Sequence, residues 1–430
     1  MTEEFLQFIW KYNLFSEKNK YSTKGDSIVI LEIGKHNHDA GPDFFDARIM
    51  INDVVWAGNV EIHIKSSDWN AHKHNFDSAY NNVILHVVYD FDDEVFTNAG
   101  RLLPCLQLNF SPSLLNNYKT LISSKKWIPC FDEIKDVKQF FVRNWLDRML
   151  VERLERKSCE INKILERNSF SWEETFYQVL ARYFGMKVNA EPFQQLARSI
   201  PLKFLARQKN SLLQIEAFLL GQAGLLNKPE CGDEYYQKLV TEYRFLSRKY
   251  QIQYLPAERW KWLRLRPANF PTIRIAQFAS LIYKSNSLFS QILENPNYNA
   301  IAKAFEIEAS EYWKNHYQFG IKSKLKVKNF GKSALDGIII NSIVPVLFLY
   351  GCVNGNQQIK DKACELLDEV GVENNSIIRK WEECGIEMKS AYHSQALLQL
   401  KSEYCDKFKC LQCEFGNRLI RTESFQSSEN

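Results

Sequence analysis

The sequence predicts an α+β protein, with a strand-rich N-terminal module of mixed type followed by a large all-α domain that ends in a cysteine knuckle. Three observations carry this prediction. Between residues 20 and 110, runs of β-branched residues are separated by turn signals. From Pro112 onward, apolar residues recur at helical spacing. Near the end of the chain three cysteines close up as Cys405, Cys410 and Cys413. The boundaries that follow are a module at 1–110, a linker at 111–135, a helical domain at 136–421 and a flexible tail at 422–430.

The elements of the module come in order. TEEFLQFIWKYNLF mixes charges and aromatics at helical spacing, and it has neither the basic start nor the small-residue cleavage site of a signal peptide. SIVILEIG reads as a strand after the turn at Gly25-Asp26. The loop KHNHDAGPD leads into FDARIMI and VVWAGNVEIHIK, joined at Asn52-Asp53 in a hairpin, with Gly58 as a candidate bulge. VILHVVYD is a further strand, and RLLPCLQLNF closes the sheet. Beyond residue 136 the periodicity predicts a first long helix from VRNWLDRMLVERLERKSCEINKIL. It then predicts helices near 173–185, 190–207, 211–225, 233–251, 273–294, 298–316, 332–350, 356–370, 373–385 and 390–404.

A chain of 430 residues with 45% hydrophobic content is long enough for two or three domains of a soluble globular protein. The apolar run IIINSIVPVLFLYG at 338–351 is shorter than a bilayer span and contains Asn341 and Pro345, so it is expected to be a buried helix, with no membrane as partner. Ten cysteines, scattered except for the last three, suit a reducing cytoplasm better than a secreted disulfide framework. Charge is uneven: residues 26–100 hold 4 Lys/Arg against 13 Asp/Glu, and residues 241–335 hold 16 against 6. That asymmetry suits a metal enzyme acting on a polyanion, and equally two domains that attract each other.

Six of the eight histidines (His36, His38, His63, His72, His74 and His86) fall between residues 36 and 86, among Asp43, Glu61, Asp68 and Asp77. In VEIHIK the side chains alternate, so Glu61, His63 and Lys65 project from one face. Hairpin pairing brings the start of one strand beside the end of the other, so Asp43 and Glu61 are expected to meet. This order resembles the PD-(D/E)xK nucleases, in which two carboxylates hold Mg²⁺ or Mn²⁺ and a lysine polarises the attacking water. The resemblance implies Asp43 and Glu61 as ligands and His63 or Lys65 as the catalytic group; the expected lysine position carries His63, with Lys65 one pleat further on. The rival reading is a nitrogen-rich Zn²⁺ or Fe²⁺ site using His72, His74, Asp77 and His86.

Cys405-x4-Cys410-x2-Cys413 could clamp Zn²⁺ or a [4Fe–4S] cluster with a fourth ligand from elsewhere, and His393 and Cys384 lie nearest in sequence. Arg259, Lys261, Arg264, Arg266 and Arg274 interleave with Trp260, Trp262 and Phe270, the composition of a groove for single-stranded DNA or RNA. No phosphate loop, dinucleotide fingerprint or nucleophile elbow is present in the sequence.

Several phrases, NHDAGPDFFDARI, GNVEIHIKSSDWNAHKH, YNNVILHVVYD, IEAFLLGQAGLL, RPANFPTIRIAQ, IINSIVPVL and YCDKFKCLQCEFGNRL, together resemble the bacterial DUF2851 family along essentially the whole chain. The resemblance implies neither an activity nor a catalytic residue. The functional expectation therefore comes from the residues: a metal-dependent phosphodiesterase acting on nucleic acid. The alternatives are a Zn²⁺- or Fe²⁺-dependent small-molecule hydrolase and a non-catalytic interaction protein with a structural metal. The oligomeric state is not legible in the sequence.

Overall fold

A computed structural model gives the fold of residues 1–16, 21–227 and 232–422. It is 54% helical, with the strands gathered near the N-terminus and the helices beyond, as the α+β reading expects. The chain divides into two compact units, one joining Met1–Trp145 to the segment from Leu400 onward and the other running from Leu146 to Gln399. This differs from a simple succession of module, linker and helical domain. The stretch expected to be a linker contains a helix of the first unit, and the chain returns to that unit at its end. Most of the expected tail lies outside the described residues.

The first unit opens with helix α1 (Glu3–Lys11), capped by the Thr2 side chain on the Phe5 amide, with Phe5, Leu6, Phe8, Ile9 and Trp10 buried. Its sheet contains β1 (Ile28–Glu32), β2 (Lys35–His36), β3 (Phe44–Ile51), β4 (Val54–Lys65), β5 (Val83–Asp90) and β6 (Cys105–Gln107). The order is β1-β3-β4-β5-β6, with β2 also paired to β3. β3 runs antiparallel to β4, whereas β4, β5 and β6 are mutually parallel, so the sheet is mixed. The hairpin turn at Asn52-Asp53 takes two left-handed residues, φ 48° and 66°, the geometry whose twist matches the flanking strands. The register shift in this hairpin falls between Phe44 and Ala47, where Asp46 has φ 59°, and not at Gly58. Gly58 serves a close approach instead, since a Cβ there would lie 2.5 Å from the Asn82 carbonyl and from Ile84.

A parallel pair needs a crossover, and the one from β4 to β5 carries the short helix α2 (Asp68–Ala71) and two 3₁₀ turns, His74–Phe76 and Ser78–Tyr80. Trp69, Tyr80, Val83, Val95 and Leu103 form one buried cluster beneath it. Helix α3 (Pro112–Ser123) follows the sheet, and the unit boundary falls within the 29-residue helix α4 (Gln139–Arg167).

In the helical unit most expected segments reappear within a few residues, but 190–207 is broken into Ala190–Ser199 and Leu202–Ala206 and 273–294 into Pro271–Lys284 and Leu288–Glu294, and two further segments differ. Helix 298–316 ends at Ala304, because 307–309 pair with 328–330 through Phe330 N–H to Ile307 O (2.9 Å) and Ala309 N–H to Lys328 O (3.2 Å). The apolar stretch is also longer than expected. Lys332–Val353 is one 22-residue helix of mean hydropathy 1.8, long and apolar enough to cross a membrane by composition, yet 67% of that window is buried inside the protein. A π-helical turn at Ile339–Ile343 widens it just ahead of Pro345, which has no N–H to give the preceding turn.

Candidate metal centre

β4 places Glu61 and His63 on one face, and parallel pairing sets His86 of β5 beside Glu61. All three are buried, with relative exposures of 5%, 1% and 0%. The crossover after β4 then folds His72 and His74 over the same face. His74 stacks on Tyr80 with ring centres 3.8 Å apart, and Trp69 packs edge-on against His74. The expected meeting of Asp43 and Glu61 occurs: Phe44 pairs with Val60, and the Asp43 backbone N–H donates to Glu61 Oε2 at 3.0 Å.

The ligand atoms of His63, His72 and His74 all lie within 4.8 Å of one another. His63 Nε2 is 3.2 Å from His72 Nδ1, and Glu61 Oε1 lies 3.6 Å from His63 Nε2 and 3.4 Å from His74 Nε2. Metal–nitrogen bonds of about 2.0–2.1 Å in a tetrahedral site hold their ligand atoms roughly 3.3 Å apart. The spacing is therefore that of groups around one ion. His63 Nδ1 is 2.9 Å from His86 Nε2. In the tautomer where His63 donates from Nδ1 to His86, its Nε2 lone pair faces the other imidazoles, and His86 acts as the partner that fixes a ligand's ring. His72 is exposed, so the cluster opens to solvent on that side.

The electrostatics suit the same purpose. Burial, with neighbouring imidazoles next in importance, lowers His63 to about 2, His86 to about 3 and His74 to about 4, so all three are neutral at pH 7. Neutral imidazole is the form that binds metal. Burial raises both Asp43 and Glu61 well above the carboxylate range; Asp43 pushes Glu61 further, and Glu3 of α1 adds to both. Glu61 is buried and Asp43 half-buried, and among the described residues no Lys or Arg is ion-paired to either, so a proton or a cation is needed to offset their desolvation.

The other candidate residues fall differently. Asp43 has both carboxylate oxygens engaged, accepting from Gln7 Nε2 (2.8 Å) and from the Ile62 backbone N–H (3.0 Å), so it orders the strand ends around Glu61. Lys65 leaves the group: its side chain is 55% exposed, with Nζ 4.0 Å from Asp92. The face does continue to Lys65, but β4 there has passed the buried core, and water solvates the ammonium more cheaply than the pocket would. Asp77 caps the 3₁₀ turn at Ser78 by accepting from the Ala79 N–H (2.8 Å), and it is exposed. His36 stacks on Phe44 and meets His38 edge-on, and it is not one of the three clustered imidazoles.

In the helical unit, Arg274 is buried, donates to Asn269 and Gln277 and lies over the Phe330 ring, so it is a core residue and not a phosphate contact. Trp260 is likewise core, donating to the Ala223 carbonyl. Arg259, Lys261, Arg264 and Arg266 are exposed, Arg259 being bonded to Gln195. Cys384 has Glu383 as its charged neighbour, and His393 bonds Ser390, both within the helical unit; neither stands with the C-terminal cysteines, which belong to the other unit.

Sequence reasoning missed Glu3, Gln7 and Tyr80. An acid in a helix's first turn is ordinarily read as complementing the dipole, and no spacing rule ties α1 to a site sixty residues on.

No curated protein and no solved structure matches the chain. A family model described as a protein of unknown function (DUF2851) matches residues 3–376, a span that includes every residue of the histidine cluster. The chain therefore belongs to the DUF2851 family.

Proposed function

We propose that the sheet unit is a metal-dependent hydrolase centre in which His63, His72 and His74 hold a divalent ion of the Zn²⁺ or Fe²⁺ type. The single observation that carries this reading is the convergence of three imidazoles within 4.8 Å beside a buried carboxylate. Such an ion, when bound, polarises a substrate oxygen and lowers the pKa of water. The protein's residues do the rest. Glu61, held by the Asp43 N–H, keeps its proton in the metal-free site because burial raises its carboxyl; a cation bound beside it would favour the carboxylate, the form that takes a proton from water. His86 fixes the His63 ring, and Asp43 with Gln7 fixes the strand ends.

This favours the nitrogen-rich alternative over the two-carboxylate nuclease arrangement. That arrangement needs a lysine at the ion and free oxygens on Asp43, and here Lys65 and Asp43 are otherwise engaged. A phosphodiester remains one substrate class within the proposal; Arg259, Lys261, Arg264 and Arg266, exposed in the helical unit, remain the proposed contacts to nucleic acid.

The test is hydrolysis of a chromogenic phosphodiester and a chromogenic carboxylic ester by full-length protein, after chelation and again after adding Zn²⁺, Fe²⁺ or Mn²⁺. Activity that returns with a metal in the wild type, but not in His72→Ala/His74→Ala, is the expected result. Equal activity in chelated and reloaded protein would overturn the reading.

A further inference from the structure

The first unit brings four cysteines into one neighbourhood, and one of them is far from the others in sequence. The segment from Leu400 onward packs against residues 117–145. Asn117 donates from Nδ2 to the carbonyls of Ile420 and Thr422, both at 3.0 Å. Lys401 lies over the Trp127 ring at 5.1 Å, Arg418 over the Phe141 ring, and Tyr404 meets Trp145 edge-on at 5.4 Å. Trp127 is three residues before Cys130, and Tyr404 is next to Cys405. The fold thus carries Cys130 to the cysteine triplet.

The triplet itself is built as a knuckle. Successive turns run from Phe408 N–H to Cys405 O (3.2 Å), Lys409 N–H to Tyr404 O (3.0 Å) and Cys413 N–H to Cys410 O (3.3 Å), with Phe408 left-handed at φ 51°. Gly416 closes it: a Cβ there would sit 2.2 Å from the Cys410 carbonyl, so a side chain would force the loop open. Cys413 then caps the C-terminal helix (Glu414–Arg421). The N–H groups of Phe415 and Gly416 favour its thiolate, as does the Trp145 side chain.

Cys130, Cys410 and Cys413 are buried, Cys405 is half-buried, and no disulfide joins any of them. Burial raises all four thiols, and each lies in electrostatic range of others of the set: Cys130 feels Cys413 and Cys410, and Cys405 feels Cys413, Cys130 and Cys410. Three buried thiols and one half-buried thiol in mutual electrostatic range stay protonated on their own, and a soft cation is what would favour their thiolates.

We propose that Cys130, Cys405, Cys410 and Cys413 are the four thiolate ligands of a soft-metal centre, a zinc ion or an iron–sulfur cluster, with Cys130 supplying the ligand missing from the C-terminal triplet. Each thiol that becomes a ligand gives its proton to solvent, so metal uptake acidifies an unbuffered solution. Lys401, whose charge favours the Cys405 thiolate, offsets part of the centre's negative charge.

The experiment purifies the full chain without oxygen and measures zinc, iron, acid-labile sulfide and the visible spectrum, in a His72→Ala/His74→Ala background so that the metal counted belongs to the thiols. One zinc per chain, or iron matched by sulfide with visible absorption, is expected. Adding Cys130→Ser should reduce that content as much as adding Cys410→Ser, while Cys384→Ser leaves it unchanged. Should the serine variants fail to fold, an organomercurial titration of the parent protein should release metal in step with thiol modification. A parent protein without zinc, iron or sulfide, or a Cys130→Ser protein that keeps its full content, would overturn the proposal; neither result bears on hydrolysis at the histidine site.

Discussion

In the helical unit, Lys157 and Glu216 are each set among neutral hydrogen-bonding side chains. Lys157, pushed down to about 7 mainly by burial, donates to Asn341 Oδ1 (2.9 Å) and Gln395 Oε1 (3.3 Å). Glu216, pushed up to about 7 by burial, accepts from the hydroxyls of Tyr235 and Ser310. In the sheet unit, two acids and four imidazoles are instead gathered together, and burial first, with like neighbours second, raises Asp43 and Glu61 and lowers His63, His74 and His86. Neutral hydrogen-bonding partners are how a fold accommodates a charge it keeps for structure. A crowd of metal-binding groups that discourage one another's ionisation is what a fold maintains for an ion.

The largest expected effect follows from removing the crowd's ligands. His72→Ala/His74→Ala should lose its divalent ion and its hydrolysis together, measured by elemental analysis and by turnover of the chromogenic esters. Glu61→Gln separates binding from chemistry: metal content should persist while turnover falls by roughly 10²–10⁴-fold, the usual contribution of a positioned base. A Glu61→Gln protein of unchanged turnover would reduce Glu61 to a structural group. Removing the partner of His63 is milder. His86→Phe should weaken metal affinity by roughly 10–100-fold, read by competition with a chromophoric chelator.

A stability experiment sharpens the same contrast. Because burial raises the folded pKa of Glu61, its protonated form stabilises the metal-free protein below the ordinary value of 4.5, and that contribution is lost as pH rises through the raised folded value. In chelator, Glu61→Gln should therefore gain in Tm over wild type as pH goes from about 5 to about 8. Comparing the two proteins cancels the histidines, whose lowered pKa values act in the opposite direction, removing stability as pH falls below 6.5. A constant gap would mean that Glu61 is not desolvated. The smallest effect is assigned to Lys65→Ala, which should leave turnover within about twofold, as for a surface change away from the site. A large loss there would restore the carboxylate–lysine arrangement that the structure does not assemble.

Much of this was legible in the sequence because period and turn chemistry are local. The alternation of VEIHIK put Glu61 and His63 on one face, and Asn52-Asp53 fixed the hairpin that brings Asp43 to Glu61. The choice among the histidines was not local. Only the crossover's path brings His72 and His74 to His63, while His86 reaches it from the neighbouring strand. Lys65 follows the alternation yet ends in solvent, because periodicity assigns a face and not a depth. Cys130 was invisible for a different reason: an isolated cysteine 275 residues before its nearest partner in the triplet carries no spacing signal, and pairing it requires the chain to return to its first unit.

The most direct test of the central claim is the number of divalent ions bound per chain in wild-type protein, compared with His72→Ala/His74→Ala prepared identically. Three imidazoles gathered around one ion predict a difference of one. Equal counts in two folded proteins would contradict it.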